Sequence, residues 1–522
     1  MGIWNLYFIV KLYLFHIGRV EPQWLLNILF ALALAIRIPN RALAALRQVV
    51  AVVAGAALLY WEANLPPFER AISQFSNLQA FTPAYMVELL GRLVSREMLL
   101  TALAVLVVFL LVNRWVRVTT LVFAALVLVP LWQVLSVGPV VGGGQQAIAG
   151  TETAAAGGAP GEAGWDARLN AFRQQEAQRS VHFGPLAATP DTQYDIIVLH
   201  ICSLSWDDLD VAKARDNPLL SRFDFLFTNF SSAASYSGPA AIRVLRAACG
   251  QPQHKDLYDS APAECHIFSA LADAGFSTRM LLNHDGHFDN FLQEVEQEVG
   301  VPGVKPPSND GLPVAMRSFD NSPVAGDFDV LQRWYKKRLA EGGGPQALYY
   351  NTVTLHDGNR LPDTKMSSLE SYPLRLSKLL GDVDKVIDMV ASSGRKAVIV
   401  FVPEHGAALR GDANQIAGMR EIPTPRIIHV PVGVKLVGLP GGQSPSGKTV
   451  TIDTPTSYLA LSQLISNLVA ENPFQPGAQT LDQYAADLPQ TQMVGENEVT
   501  VTMRDGSGYM VHTPDGVWIE GK

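Results

Sequence analysis

The first 137 residues constrain this chain most, because long apolar runs fill them and only scattered charges break those runs. Five candidate membrane spans can be read there: Ile3 to Gly18 (interrupted by Lys11), Pro22 to Ile36, Val49 to Trp61, Met98 to Asn113 and Val118 to Val137. Several cores are shorter than the ~20 residues that cross a bilayer unaided, so flanking Trp, Tyr and Arg must occupy the interfaces. The first segment also reads as an amphipathic helix on the cytoplasmic face, which leaves four spans. It lacks the short apolar core and small-residue cleavage site of a signal peptide. Arg37, Arg41 and Arg47 follow the second span, and Arg114 and Arg117 follow the fourth. The positive-inside bias makes both loops cytoplasmic and puts everything after the fifth span outside. The segment with Pro66, Pro67 and an amphipathic Tyr85 to Val94 faces outward too, although its Arg92 and Arg96 run against that bias.

Composition agrees with a lipid-embedded part. The 522 residues are 48% hydrophobic and 17% charged, with mean hydropathy +0.14; an ordinary soluble domain has about 25% charged residues. Residues 1–137 hold 10 Lys+Arg and 5 Asp+Glu, a net of +5, so the rest of a chain of net charge −8 carries −13. That sign argues against a nucleic-acid partner, whose phosphates require cations. Val141 to Gly164 reads VGGGQQAIAGTETAAAGGAPGEAG, too poor in large apolar residues to fold alone. The expected organisation is a transmembrane domain over 1–137, a flexible linker over 138–165 and a folded domain over 166–522.

In that last domain strand-like runs alternate with helical patterns. Tyr194 to Ile201, Thr278 to Leu282, Ala347 to Thr352, Ala397 to Val402 and Val430 to Leu436 read as strands. Pro239 to Ala248, Ile267 to Ala274, Tyr372 to Ser392 and Ser457 to Leu468 read as helices. This predicts an α/β domain with a central, mostly parallel sheet covered by helices. The terminal EVTVTMRDGSGYMVHTPDGVWIE, with two Asp-Gly turns, predicts a small β appendage.

Ligands of such sheets bind beyond the carboxyl ends of the strands. Cys202 follows the first strand, Thr354, His356 and Asp357 follow the third, and Glu404 and His405 follow the fourth. Thiolate, carboxylate and imidazole together suit zinc, whereas Mg or Ca would not select a cysteine. Alone, a cysteine after a buried strand is ordinarily a small hydrophobe. Ser237 precedes Gly238 and Pro239, and proline favours the first turn of a helix. A serine there is either a nucleophile among free N–H donors or, more commonly, an N-cap, a reading that Ser235 shares. His284 and His287 in NHDGH read first as surface loop histidines and second as substrate contacts.

Taken together, the strand-borne cysteine, SYSGPA, LHDGN and PEHG resemble the alkaline phosphatase and sulfatase superfamily, and within it the membrane phosphoethanolamine transferases. HICSLSW, SYSGPAAIR, YNTVTLHDGN, VPEHGAALRGD and IPTPRIIHVPVGVK narrow the resemblance to the BcsG family, the cellulose phosphoethanolamine transferases of bacterial cellulose synthase systems. It implies an alkaline-phosphatase-like domain in the periplasm, carried by a multi-pass inner-membrane segment. It also implies that Ser237 is the nucleophile and that Cys202, Glu404 and His405 bind Zn2+, with the Ser237 oxygen near the fourth position. His356 would be the acid/base group or a ligand of a second metal, Arg420 would meet the phosphate, and Tyr236 stands beside the nucleophile. Cys202 departs from the wider superfamily, where an acidic residue usually follows this strand, but matches the cellulose-modifying branch.

The resemblance further implies phosphatidylethanolamine as donor, cellulose as acceptor, the lipid membrane and cellulose synthase subunits as partners, and a covalent phosphoethanolamine–serine intermediate. Cys249 and Cys265 flank a loop rich in turn formers and can form a disulfide in a periplasmic domain, as the family pattern has them. Two rival readings stand beside it: a transferase acting on lipid A or another glycan, and a non-catalytic structural subunit of the synthase complex.

Overall fold

The computed structural model describes residues 2–17, 20–63, 80–94, 96–136, 162–412, 414–440 and 449–521. The chain forms two compact units, one of residues 1–79 with 93–157 and one of residues 80–92 with 158–522. Gly18, Pro66, Pro67, Val137 and the expected linker up to residue 161 lie outside the described residues.

In the first unit a helix forms at each of the five apolar segments: Trp4–His16, Trp24–Ala35, Arg41–Glu62, Arg96–Trp115 and Val118–Ser136. Arg41–Glu62 and Arg96–Trp115 are long and apolar enough to cross a bilayer. They are also largely exposed, as lipid-facing helices are and the core helices of a soluble protein are not. Phe8, Ala31, Leu34, Ala51, Phe109 and Val122 pack between the helices. Lys11, which interrupts the first segment, is paired inside this bundle with Glu62, and its Nζ donates to Asn27 Oδ1 at 2.6 Å. Asn27 in turn donates to Glu62 Oε1 at 2.5 Å. Polar groups in so apolar a setting persist only when they satisfy one another.

The second unit is built on a seven-stranded sheet: β1 (Tyr194–Ile201), β2 (Phe225–Ser231), β3 (Ser277–Leu282), β4 (Gln346–Thr352), β5 (Lys396–Pro403), β6 (His429–Val437) and β7 (Val450–Ile452). Their spatial order is β3-β4-β1-β5-β6-β2-β7, and only β6 opposes the common direction. Every residue of β1 is buried. Because successive side chains point to opposite faces, Tyr194, Ile196 and Val198 enter one core while Ile197, Leu199 and Ile201 enter another. Two buried faces require helices on both sides. Ser237–Leu245, Ile267–Asp273, Phe291–Glu298 and Tyr458–Ala470 cover the first face, and Asp327–Glu341 and Ser368–Ser392 cover the second.

The five expected strands are present, most of them a residue or two longer. β2 and β7 were not expected: a short apolar run such as FDFLF does not by itself distinguish strand from buried helix, and β7 has three residues. The C-terminal appendage is a four-stranded antiparallel sheet over Val494–Glu496, Val501–Asp505, Gly508–His512 and Trp518–Gly521. Gly506 and Gly516, which follow the two Asp residues, take positive φ values of 54° and 85°, as tight hairpins require.

Two boundaries differ from those expected. The helix Glu162–Glu176 begins inside the segment assigned to the linker, because Trp165, Leu169 and Phe172 bury themselves against Val494, Met503 and Trp518 of the appendage. Residues 80–92, placed by sequence in the membrane part, belong to the second unit. Arg92 binds Asp357 through both guanidinium nitrogens at 2.6 and 2.9 Å, and Tyr85 Oη donates to the same carboxylate at 3.0 Å.

Candidate metal and nucleophile site

Strand register explains why distant segments meet. Ile201 at the end of β1 lies level with Thr352 on one side and Pro403 on the other, and Leu282 at the end of β3 pairs with Asn351. The residues after these strands therefore emerge along one edge. There Cys202, Glu404 and His405, all buried, each bring a ligand atom within 4.8 Å of the others. Ser237 arrives from the loop after β2. Its Oγ lies 3.4 Å from Cys202 Sγ and 3.5 Å from His405 Nε2.

The N-cap reading of Ser237 does not hold. The helix Ser237–Leu245 is preceded by Tyr236 in extended conformation, and no side chain caps it. Ser237 is the first helical residue and turns its hydroxyl toward the thiol and imidazole. Ser235 is no cap either, since its buried hydroxyl has no hydrogen-bond partner. Gly238 sits close to a neighbouring side chain: a Cβ there would stand 3.0 Å from Glu294 Oε2, which would have to shift by a few tenths of an ångström.

The electrostatics of the three donors suit a cation. Burial pushes the Glu404 carboxyl up to about 7 against the opposing hydrogen bonds. Its Oε1 accepts from Asn351 Nδ2 at 2.6 Å, while its buried Oε2 has no hydrogen-bond partner among the described residues. Burial, then the Glu404 charge, pushes the Cys202 thiol well up. Burial, then Arg420, holds the His405 imidazole well below its usual value. His405 Nδ1 lies 2.9 Å from the Gly406 carbonyl oxygen, so Nδ1 carries the proton and Nε2 offers a lone pair to the site. A buried thiol, a carboxylate oxygen without a hydrogen bond and an imidazole lone pair met only by Ser237 Oγ at 3.5 Å are costly side by side. A thiolate-accepting divalent cation would satisfy all three.

Around this centre, Arg420 Nη1 donates to Ser203 Oγ at 3.2 Å, and its Cζ stands 5.5 Å from the Tyr236 ring centre. Its buried Nε has no hydrogen-bond partner among the described residues. Tyr236 Oη donates to Glu421 Oε1 at 2.7 Å. The backbone that carries Arg420 is tied to the C-terminal sheet: Thr500 Oγ1 and Asn497 Nδ2 donate to the Glu421 carbonyl, the first at 3.0 Å, and Thr502 Oγ1 donates to the Pro423 carbonyl at 2.6 Å. His356 leans its ring on Phe319 and places Nδ1 2.6 Å from the Asp357 carbonyl oxygen. Burial, then Arg420, lowers its pKa to about 4, so it is neutral near pH 7.

Sequence reasoning missed the residues that orient these groups. Asn351 and His200 lie inside strands, opposite each other in register, and flank Glu404. Their signal was a polar residue within the apolar runs YYNT and VLHI. His284 is half-buried, with Nε2 3.0 Å from Asn351 Oδ1, so it backs the site and is not a surface loop residue. His287 is exposed and paired with Asp285 and Asp320, as expected of a surface histidine.

Fold and site together define a membrane-borne α/β protein with a serine at a helix start facing a cysteine–carboxyl–imidazole centre. The chain belongs to the BcsG family: the profile described as the cellulose biosynthesis protein BcsG C-terminal domain matches residues 149–518, and that of the BcsG N-terminal domain matches residues 4–131. The cellulose biosynthesis protein BcsG of Salmonella typhimurium is 36% identical over 538 residues, covering 99% of this chain and 95% of that protein. BcsG of Escherichia coli is 36% identical over 544 residues with the same coverage. A crystallised alkaline phosphatase superfamily protein from Vibrio parahaemolyticus is similar at a TM-score of 0.47 and 11% identity, covering 68% of this chain and 87% of that one.

Proposed function

We propose that this chain transfers phosphoethanolamine from phosphatidylethanolamine to the C6 hydroxyls of glucose in nascent bacterial cellulose. The transfer runs through a covalent intermediate on Ser237, in a periplasmic domain carried by a multi-pass inner-membrane segment beside the cellulose synthase subunits. The observation that carries this reading is the Ser237 hydroxyl, within 3.5 Å of Cys202 and His405 at a buried three-donor centre, in a chain of the BcsG family. A zinc ion held by Cys202, Glu404 and His405, with Ser237 Oγ in the open position, would lower the pKa of the serine hydroxyl and offset charge on the phosphoryl oxygens.

Ser237 Oγ attacks phosphorus, the bond from phosphorus to the glycerol oxygen breaks, and diacylglycerol leaves with the proton that the serine gave up. Arg420 and the free N–H groups at the helix start hold the phosphoryl oxygens. Tyr236, fixed by Glu421, packs against the Arg420 guanidinium and keeps it in place. The glucose hydroxyl then attacks the phosphorus of the phosphoserine and gives its proton to neutral His356, the bond from phosphorus to Ser237 Oγ breaks, and the same proton passes to Ser237 Oγ, which restores its hydroxyl and neutral His356.

The test is Ser237→Ala in the full chain. Solid-state NMR should show cellulose made in normal amount without phosphoethanolamine, and mass spectrometry of the parent exposed to donor lipid alone should find the adduct on the Ser237 peptide. An adduct elsewhere, or an active alanine variant, would overturn the mechanism. Loss of cellulose itself would favour a structural subunit, and phosphoethanolamine on lipid A in place of cellulose would change the acceptor.

A further inference from the structure

The helix Pro83–Leu93 is two-faced, and the proposed chemistry leaves one of its faces unexplained. One face carries Tyr85, Glu88 and Arg92, spaced three and four residues apart and therefore stacked on one side. All three bind the second unit. Arg92 and Tyr85 hold Asp357, next to His356, and Glu88 accepts from Arg360 Nη2 at 2.8 Å and from the Ser368 backbone N–H at 3.0 Å. Although burial opposes it, Arg92 holds the Asp357 carboxyl well below the usual carboxylate range. Phe81, just before the helix, packs on Tyr85, Phe288 and Phe319, the last of which touches His356.

The opposite face carries Val87, Leu90 and Leu93, which are 70%, 56% and 54% exposed. A row of large apolar side chains left exposed on the face opposite a polar one is the pattern of a helix lying in a membrane interface. Chain continuity decides the occupant: Arg96 starts a membrane-length helix, and the three peptide links from Leu93 to Arg96 reach at most ~10 Å.

We propose that Val87, Leu90 and Leu93 sit in the headgroup–acyl boundary of the bilayer, so that this helix is an interfacial strut pinning the His356 side of the site to the lipid surface. The placement rests on chain continuity and exposure. Its consequence for turnover rests on the proposed lipid donor.

The full chain in phosphatidylethanolamine–phosphatidylglycerol vesicles tests it. Nitroxide-labelled Val87→Cys and Leu90→Cys should be accessible to oxygen and shielded from a water-soluble nickel chelate, whereas labelled Lys305→Cys should show the reverse. Water-like accessibility at positions 87 and 90 overturns the proposal, whatever the reaction proves to be. In a second arm, V87D/L90D should raise KM for the vesicle-borne donor about tenfold or more while a soluble phosphoethanolamine ester turns over within twofold of the parent. Equal losses on both donors would make the face part of the fold and overturn the proposal. Lipid-like labels with no transfer by the parent would leave the strut standing and remove the proposed function.

Discussion

Asn351→Ala isolates the group that aims Glu404. In the parent, Asn351 Nδ2 gives Glu404 Oε1 its 2.6 Å hydrogen bond, and Oε2 has no hydrogen-bond partner. Removing the donor leaves a fully buried carboxyl without either hydrogen bond, and hydrogen bonds to charged groups contribute about 1.5–3 kcal/mol. Loss of a residue that orients a metal ligand costs about 10- to 100-fold in metal affinity, which converts to ~1.4–2.7 kcal/mol. The two routes agree, so zinc affinity should fall about 10- to 100-fold. The assay is competition with a chromogenic chelator at neutral pH, with thermal unfolding followed on the same preparation. Asn351→Asp is the control for shape: it keeps the volume, loses the donor and places a second carboxylate beside Glu404. It should bind zinc at least as poorly as the alanine variant. Parent-like affinity in a folded Asn351→Ala would refute the reasoning, and parent-like affinity in the Asp variant alone would show that volume matters and the hydrogen bond does not.

Cys202→Ala should remove most of the metal, because it deletes one of three protein donors; metal analysis that finds the variant as loaded as the parent takes Cys202 out of the site. The disulfide between Cys249 and Cys265 closes a loop of sequence separation 16, and replacing both by alanine should lower stability by roughly 3 kcal/mol on the chain-entropy account. Unchanged thermal unfolding would contradict that account. Burial, then Asp289 and Glu298, pushes the Glu294 carboxyl up to about 7, above its unfolded value of about 4.3. The folded state thus binds more protons between these values, and the parent loses stability as pH rises through the window. Glu294→Gln should therefore match the parent near pH 4 and exceed it, by on the order of 1 kcal/mol, at pH 8. Parallel pH–stability curves would remove Glu294 as the cause.

The sheet was legible where one continuous run met clear turn formers. β1 has the expected bounds, Tyr194–Ile201, because YDIIVLHI is apolar enough to be buried on both faces. The long helix starts at Ser368 and not at Tyr372, since a Ser367–Glu370 capping box supports a turn ahead of Pro373. Cys202, Glu404 and His405 were visible because they directly follow strands. Asn351 and His200 were not, because their role depends on cross-strand register, which a linear sequence does not display. Arg92 was legible only as an exception to the charge bias. Its explanation lies 265 residues away in Asp357, which neutralises it together with Glu88. No local pattern reports such a partner.

The four-stranded antiparallel sheet over Val494–Gly521 couples a distant part of the chain to the candidate site. Asn497, Thr500 and Thr502 hold the backbone that carries Arg420, and Trp518 closes against Trp165 at the domain's other end. A chain cut near residue 490 would keep Ser237, Cys202, Glu404 and His405, yet the backbone that carries Arg420 would lose these hydrogen bonds. The Arg420 arm proposed to grip the phosphate thus answers to a sheet far along the chain, and damage to that sheet would reach the site without touching any residue of the buried centre.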